Sequence, residues 1–203
     1  MARPRTDIAP RILEAAKTRF RQHGVDGASL RAIAKDAKTS IGMVYYYYPT
    51  KDDLFFAVVE KVYEGFLHKL ELALAPEGTV EERLGRLYRQ LSEVTDEEIE
   101  MLRLVVRDVL TSSTRFERLI ARFLRGHVPL VLRTLMEGIG DGTFDRRHHP
   151  IVLFFATFAL AGPPQMIRRA LGSRVPVPGA PEGKDLAKAM LDVLLHGVMP
   201  RAG

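Results

Sequence analysis

At 203 residues, 46% of them hydrophobic and 27% charged, the chain is long enough for a small head and a larger core-forming body. It has no cysteine, which excludes a disulfide framework and thiolate chemistry and fits a reducing compartment. Its charge is one-sided: residues 1–51 hold 10 Lys and Arg against 4 Asp and Glu, a net of +6, and residues 52–203 hold 20 against 21, a net of −1. A positive excess confined to one quarter of a chain is the electrostatic footprint of a nucleic-acid binder. The N-terminus, MARPRTDIAP, is charged but has no apolar h-region behind it, so a cytoplasmic rather than a secreted protein is expected.

The apolar periodicity predicts an all-α chain of about nine helices, with no period-2 strand and no internal repeat. A first helix over Asp7–His23 tolerates Pro10 in its first turn and ends at Gly24. Ser29 opens a short helix with apolar positions Leu30, Ile33, Ala34 and Ala37, broken at Lys38-Thr39. Ser40 caps a second, Ile41 to Tyr48, which Pro49 stops. Two short helices around a tight turn, the second dense in tyrosine, read as a helix-turn-helix. Thr50 then caps a long helix with apolar positions Leu54, Phe55, Val58, Val62, Phe66 and Leu70, which connects head to body.

Capping boxes at Thr79-x-x-Glu82, Thr95-x-x-Glu98 and Thr114-x-x-Glu117 mark three further helix starts. The helix carrying Pro129 is expected to kink there, and Gly138–Gly142 to form a loop. An apolar helix over 151–171 follows, then a Pro/Gly-rich linker, Pro176–Gly183, and a last helix, Leu186–His196. The 17 uncharged residues Ile151–Ile167 lie at the short limit for a membrane span, and Gly162-Pro163-Pro164-Gln165 interrupts them. A helix buried in a core or a dimer interface is expected, with no membrane partner.

His148-His149 beside Asp145 invite a metal reading, but adjacent histidines project in different directions and lack a second ligand pair, so no metal and no cofactor are assigned. Phosphate-cradling glycine loops, nucleophile elbows and His-Glu metal helices are missing from the sequence, and no enzymatic activity is expected.

On the second helix of the helix-turn-helix, Val44, Tyr47 and Tyr48 share one arc and can pack inward. Gly42, Tyr45 and Tyr46 take the opposite arc, with Ile41 and Met43 near the helix start. A recognition helix places its N-terminal residues on base edges, while flanking hydroxyls and cations hold phosphates. Gly42 inside a helix costs about 1 kcal/mol relative to alanine, and close backbone approach to DNA is one reason for it.

The segment Ser40-Ile-Gly-Met-Val-Tyr-Tyr-Tyr-Tyr-Pro-Thr-Lys-Asp-Asp-Leu54 resembles the signature of the TetR family of transcriptional repressors. There a Gly-x-hydrophobic-Tyr-x-x-aromatic helix is followed by a turn, a lysine, an acid and a leucine. The likeness extends upstream through Ile12-Leu-Glu-Ala-Ala16, Phe20, Gly24 and Leu30-Arg-x-Ile-Ala34. It implies a helix-turn-helix DNA-binding domain over 1–50 and a helical effector-binding and dimerisation bundle over 51–203. It also implies that Tyr45, Tyr46 and Lys51 grip phosphates, with Ser29 and Arg31 beside them and Ser40, Ile41, Gly42 and Met43 at the groove. Ile41 and Met43 lack hydrogen-bonding head groups, so thymine methyls are their expected contacts. Tyr46 and Tyr47 stand where the family often has histidine, so the base preference of relatives does not carry over.

For the body, the resemblance implies C-terminal helices paired across a two-fold axis, here through Phe154, Phe155, Phe158, Leu186, Met190, Val193 and Leu194. It also implies a small-molecule effector in the middle bundle. Candidates are Tyr63, Phe66, Tyr88, Met101, Leu104, Val105, Asp108, Phe116, Phe123 and His127, a mainly apolar set suited to an uncharged ligand. The function expected is a repressor released from a palindromic DNA operator by that effector. An architectural DNA binder without effector, or a helical enzyme, are the alternatives.

Overall fold

The computed structural model describes residues 7–171 and 178–197, with the side chains of residues 108–110, 170 and 171 outside that description. Among the described residues there are eleven helices and no strand. They are α1 (Ile8–Gly27), α2 (Leu30–Asp36), α3 (Ile41–Tyr47), α4 (Lys51–Ala73), α5 (Val80–Ser92), α6 (Asp96–Thr111), α7 (Ser113–Leu124), α8 (His127–Asp141), α9 (Pro150–Ala161), α10 (Pro163–Leu171) and α11 (Gly183–His196). They pack as two compact units that do not follow chain order. The first takes α1 to α4 as far as Phe66, then Asp96–Ala121 from α6 and α7; the second takes Leu67–Thr95 and the chain from Arg122 onward.

The first unit is built on two phenylalanines. Phe20 of α1 and Phe55 of α4 meet edge to face with centroids 6.0 Å apart, both fully buried among Ile12, Val25, Ile33, Val44 and Leu54. Gly24 has φ 73 and ψ 172, and this break bends the end of α1 so that Val25 turns into the core. Without a Cβ, glycine enters that left-handed region at little cost. Alternating charge then fastens α6 to α1: Lys17 pairs with Glu97 and Arg21 with Glu100, and the Arg107 guanidinium donates to the Phe20 carbonyl at 3.2 Å.

In the second unit α5 is central and packs against α8, α9 and α11. Its start is the expected capping box: the Thr79 hydroxyl accepts from the Glu82 N–H at 3.2 Å and the Glu82 carboxylate from the Thr79 N–H at 2.8 Å. Tyr88 is buried and donates its hydroxyl to the Thr157 carbonyl at 3.2 Å, and burial pushes its phenol far up. Arg83, also buried, pairs with Glu137 and donates to the Thr134 hydroxyl at 2.9 Å.

Several sequence expectations change. Pro129 does not kink a helix, because α8 starts at His127 and places the proline in the first turn, where its missing N–H has no intrahelical partner to lose. Gly138 is not in a loop. It lies inside α8, which runs to Asp141 and ends on left-handed Gly142. The third capping box does not form; a simple cap lies two residues earlier, where the Ser112 hydroxyl, not that of Thr114, accepts from the Arg115 N–H at 3.3 Å. The apolar 151–171 stretch divides at Gly162 into α9 and α10, because Pro163 and Pro164 have no amide hydrogens to carry the ladder on. Residues 176 and 177 of the Pro/Gly-rich linker fall outside the described residues.

The window Pro150–Arg169 is long and apolar enough, by length and composition, to cross a membrane. Its sides are unequal: Leu153, Phe154, Thr157 and Ala161 are buried in the second unit, whereas Phe155 is 64% exposed.

Gly138 is a close contact. A Cβ added there would sit 2.8 Å from the Phe144 ring and 2.9 Å from a Val80 methyl. Gly138→Ala should therefore destabilise the chain by about 1–3 kcal/mol despite alanine's better helix propensity, read as a lower urea midpoint at unchanged slope. An unchanged or higher midpoint would mean that Phe144 gives way freely.

Candidate nucleic-acid interface

Residues 28–50 form an excursion between the end of α1 and the start of α4, carrying two seven-residue helices. Both are capped as their sequences imply. Ser29 Oγ accepts from the Ala32 N–H at 3.4 Å, and Ser40 Oγ from the Met43 N–H at 3.3 Å. The turn between them closes through the Thr39 N–H on the Ala34 carbonyl and the Lys38 N–H on the Lys35 carbonyl, each 3.0 Å. That closure puts Lys38 at φ 53, the left-handed position that glycine usually takes at a helix end. A lysine there costs about 1 kcal/mol, so this turn sacrifices stability and presents a cation.

The two arcs of α3 separate as the periodicity predicts. Val44 is fully buried and Tyr47 and Tyr48 are half-buried, while Gly42, Tyr45 and Tyr46 are exposed, Tyr46 at 77%. Ile41 and Met43 are half-buried at the helix start. The rings of Tyr46 and Tyr47 meet edge to face at 5.2 Å, which steers the exposed phenol. Burial, and then the neighbouring Tyr47, raise the Tyr48 phenol, so it stays neutral.

Charge around this segment is sorted. Each acid from Asp7 to Asp53 has a cationic partner: Asp7 with Arg11, Glu14 with Lys61, Asp26 and Asp52 with Arg115, Asp36 with Arg19, and Asp53 with Arg118. Hydrogen bonds from their partners hold the Glu14, Asp26 and Asp36 carboxyls below the usual range, as the Thr50 hydroxyl and then Arg118 do for Asp53. By contrast Arg31, Lys35, Lys38 and Lys51 form no ion pair with a carboxylate among the described residues. Lys51 instead donates to the Asp26 carbonyl at 2.9 Å. Lys35 and Lys38 were not singled out in the sequence, although the run from Ser29 to Lys51 contains only one acid, Asp36.

Residues 12–58 match the family described as bacterial regulatory proteins, tetR family. Over these residues the chain carries the tetR-family domain. It is 30% identical over 116 residues, 56% of each chain, to a Bacillus subtilis protein named Probable HTH-type transcriptional regulator YttP. To the HTH-type transcriptional repressor NicS of Pseudomonas putida it is 39% identical over 81 residues, 38% of each chain. The chain thus spans about half or less of the length of these curated relatives. In fold, it is similar to the transcriptional regulator FadR from Bacillus subtilis, solved in complex with stearoyl-CoA, with a TM-score of 0.76 and 17% identity over 94% of this chain and 99% of that one.

The remaining candidates divide between the two units. Tyr63, Met101, Leu104 and Val105 are buried in the first, where Phe66 lies with its ring 6.5 Å from that of Tyr63 and Phe116 is about half-exposed on α7. The side chain of Asp108 lies outside the described residues. In the second unit His127 is enclosed by aromatic rings, with Phe123 at 4.7 Å, Phe158 at 5.3 Å and Phe154 stacked at 6.5 Å. Of the seven interface candidates, Phe154 and Leu186 are buried within their own chain, Phe158, Met190, Val193 and Leu194 are half-buried, and Phe155 is exposed.

Two expected outcomes follow from this geometry. At Gly42 an added Cβ would meet only Ser40 Oγ, at 3.8 Å, so nothing inside the chain requires glycine. Gly42→Ala should stabilise the head by about 0.5–1 kcal/mol while weakening duplex binding several-fold; a melting scan and a binding titration together decide it. Stronger stability with unaltered binding would leave Gly42 without a role at DNA.

The second concerns His127, whose pKa burial lowers from 6.5 to about 4, with the positive charge of Arg122 adding to the effect. Its folded pKa lies below its unfolded one, so its contribution is complete above pH 6.5 and is lost as pH falls toward 4. Between pH 7 and pH 5 the wild type should lose about 2 kcal/mol more stability than His127→Leu. Parallel pH profiles for the two proteins would show that His127 is not enclosed in this way.

Proposed function

We propose that this chain is a repressor that binds double-stranded DNA as a homodimer and is released by a small apolar effector. The observation that carries the reading is the outward arc of α3, where Gly42, Tyr45 and Tyr46 stand exposed on a capped helix beside cations that pair with no carboxylate among the described residues. Ile41 and Met43 enter the major groove and contact thymine methyls, which are apolar marks on base edges. Tyr45, Tyr46, Ser29, Arg31 and Lys51 hold phosphates on either side, joined by Lys35 and Lys38. The functional division is then 1–50 for DNA and 51–203 for effector and dimer, in the cytoplasm.

Two heads one helical turn apart read the halves of a palindrome, which calls for a symmetric dimer. The apolar side chains that α8 and α9 leave exposed, Met136, Ile151, Val152 and Phe155, supply a surface for it. The aromatic enclosure of His127, neutral at pH 7, suits an apolar ligand with one weakly polar anchor. A long-chain acyl thioester is the first class to try, because the FadR structure of similar fold holds stearoyl-CoA. Helices α4 and α7 pass from one unit into the other, so a ligand that favours one arrangement of the body can bias the head through either. Coupling of about 1–3 kcal/mol would change operator affinity 5- to 150-fold.

The test is selection of bound duplexes from a random pool by the full chain, followed by titration of the selected site with and without stearoyl-CoA. An inverted repeat whose affinity falls at least 5-fold with the thioester is expected. A selected site that small apolar molecules never release would make the protein an architectural DNA binder; no duplex bound at low salt would remove the DNA reading altogether.

A further inference from the structure

The excursion 28–50 has two roots, and one side chain holds both. Arg115, on α7, lies 89 residues from Asp26 at the end of α1 and 63 from Asp52 in the first turn of α4. Its guanidinium is buried, with 6% of the residue exposed. Nη2 donates to Asp26 Oδ1 at 2.6 Å and to Asp52 Oδ1 at 2.9 Å; Nη1 reaches Asp26 Oδ2 at 3.3 Å and Nε reaches Asp52 Oδ1 at 3.0 Å. The planar fork of arginine can satisfy two carboxylates at fixed separation, which the single ammonium of lysine cannot. Beside it Lys51 joins the same two roots through the Asp26 carbonyl at 2.9 Å. One turn further along α7, Arg118 lies 4.0 Å over the Phe56 ring and pairs with Asp53 at 3.3 Å.

We propose that Arg115 is a positioning residue for DNA recognition, closing the base of the helix-turn-helix and so fixing how α3 is presented. The proposal rests on the DNA-binding reading above and deepens it. Arg115 touches no nucleic acid in this account. It acts through Asp26 and Asp52, the points where the 28–50 segment leaves and rejoins the body of the unit. Each root also carries a bond of its own. Ala28 donates its N–H to the Val25 carbonyl at 3.3 Å on one side, and on the other the Thr50 hydroxyl accepts from the Asp53 N–H at 3.0 Å. Those bonds shape each root locally; neither joins one root to the other.

The experiment uses the full chain with Arg115→Met, Arg115→Lys, Asp52→Asn and the double variant Arg115→Met/Asp52→Asn. Binding is measured on the selected duplex and on an unrelated one, over a range of salt. Because the chain has no cysteine, Lys35→Cys on α2 and Glu64→Cys on α4 also take a pair of spin labels that report the separation of α2 from α4 without DNA. Arg115→Met should weaken the selected duplex about 10-fold and the unrelated one less than 2-fold, with the slope of log K against log salt unchanged and the label distance broadened. Asp52→Asn should do the same more weakly, and the double variant no more than Arg115→Met alone.

Should Arg115→Met fail to fold, Arg115→Lys keeps the charge and loses only the fork. It should hold the melting temperature near wild type while broadening the label distance and weakening the selected duplex at least 3-fold. A Lys variant equal to wild type in distance and affinity overturns the proposal, as does a salt slope reduced by about one, which would place Arg115 on a phosphate. If wild type selects no duplex, the DNA reading has failed, and the label distances still decide whether Arg115 closes the base.

Discussion

Two seven-residue helices cannot stand alone. Below about 12 residues an isolated helix is marginal in water, and α2 and α3 together bury only a few apolar side chains, chiefly Ile33, Ala34 and Val44. Everything the DNA-binding head can do therefore depends on the surface against which those side chains close. Helix α2 packs on α1 and α3 on α2, and the core of this unit holds the Phe20–Phe55 pair with Ile12, Val25 and Leu54 also buried. Gly24 makes it possible by bending the end of α1 so that Val25 joins the core and Asp26 comes to the base of the excursion.

Electrostatics completes what packing begins. A head destined for a polyanion gains nothing from unpaired acids, and here each one from Asp7 to Asp53 is neutralised by a cation of its own unit. The exposed pairs contribute little to stability, since surface ion pairs are typically worth less than 1 kcal/mol. Their effect is on the field: acids are masked, while the cations of α2, its following turn and the start of α4 remain toward solvent. Arg115 differs from the rest because its guanidinium is buried, and a buried charge needs its partners far more than an exposed one does.

The second unit follows a different logic. Its apolar material exceeds what one chain covers, leaving Phe155, Val152 and Met136 exposed beside well-buried Leu153, Thr157 and Leu135. Its polar atoms are placed sparingly, with Tyr88, Thr134, Thr157 and Arg83 bonded to one another's helices and His127 kept neutral among rings.

Local chemistry by itself determined the helical class, the caps at Ser29, Ser40, Thr50 and Thr79, and the inward and outward arcs of α3, because each is set within one or two turns of chain. It misjudged Pro129, Gly138 and Thr114. The effect of a proline or glycine depends on whether it falls in a first turn or beneath a neighbour such as Phe144, and a cap depends on where the helix starts. The inclusion of α6 and α7 in the same compact unit as α1 to α3 was not legible at all. Asp26, Asp52 and Arg115 are separated by tens of residues, and no periodicity or motif relates them. Only the tertiary structure decided that one guanidinium would meet two carboxylates there, because charge pairing across folded segments depends on positions in space and not on spacing along the chain.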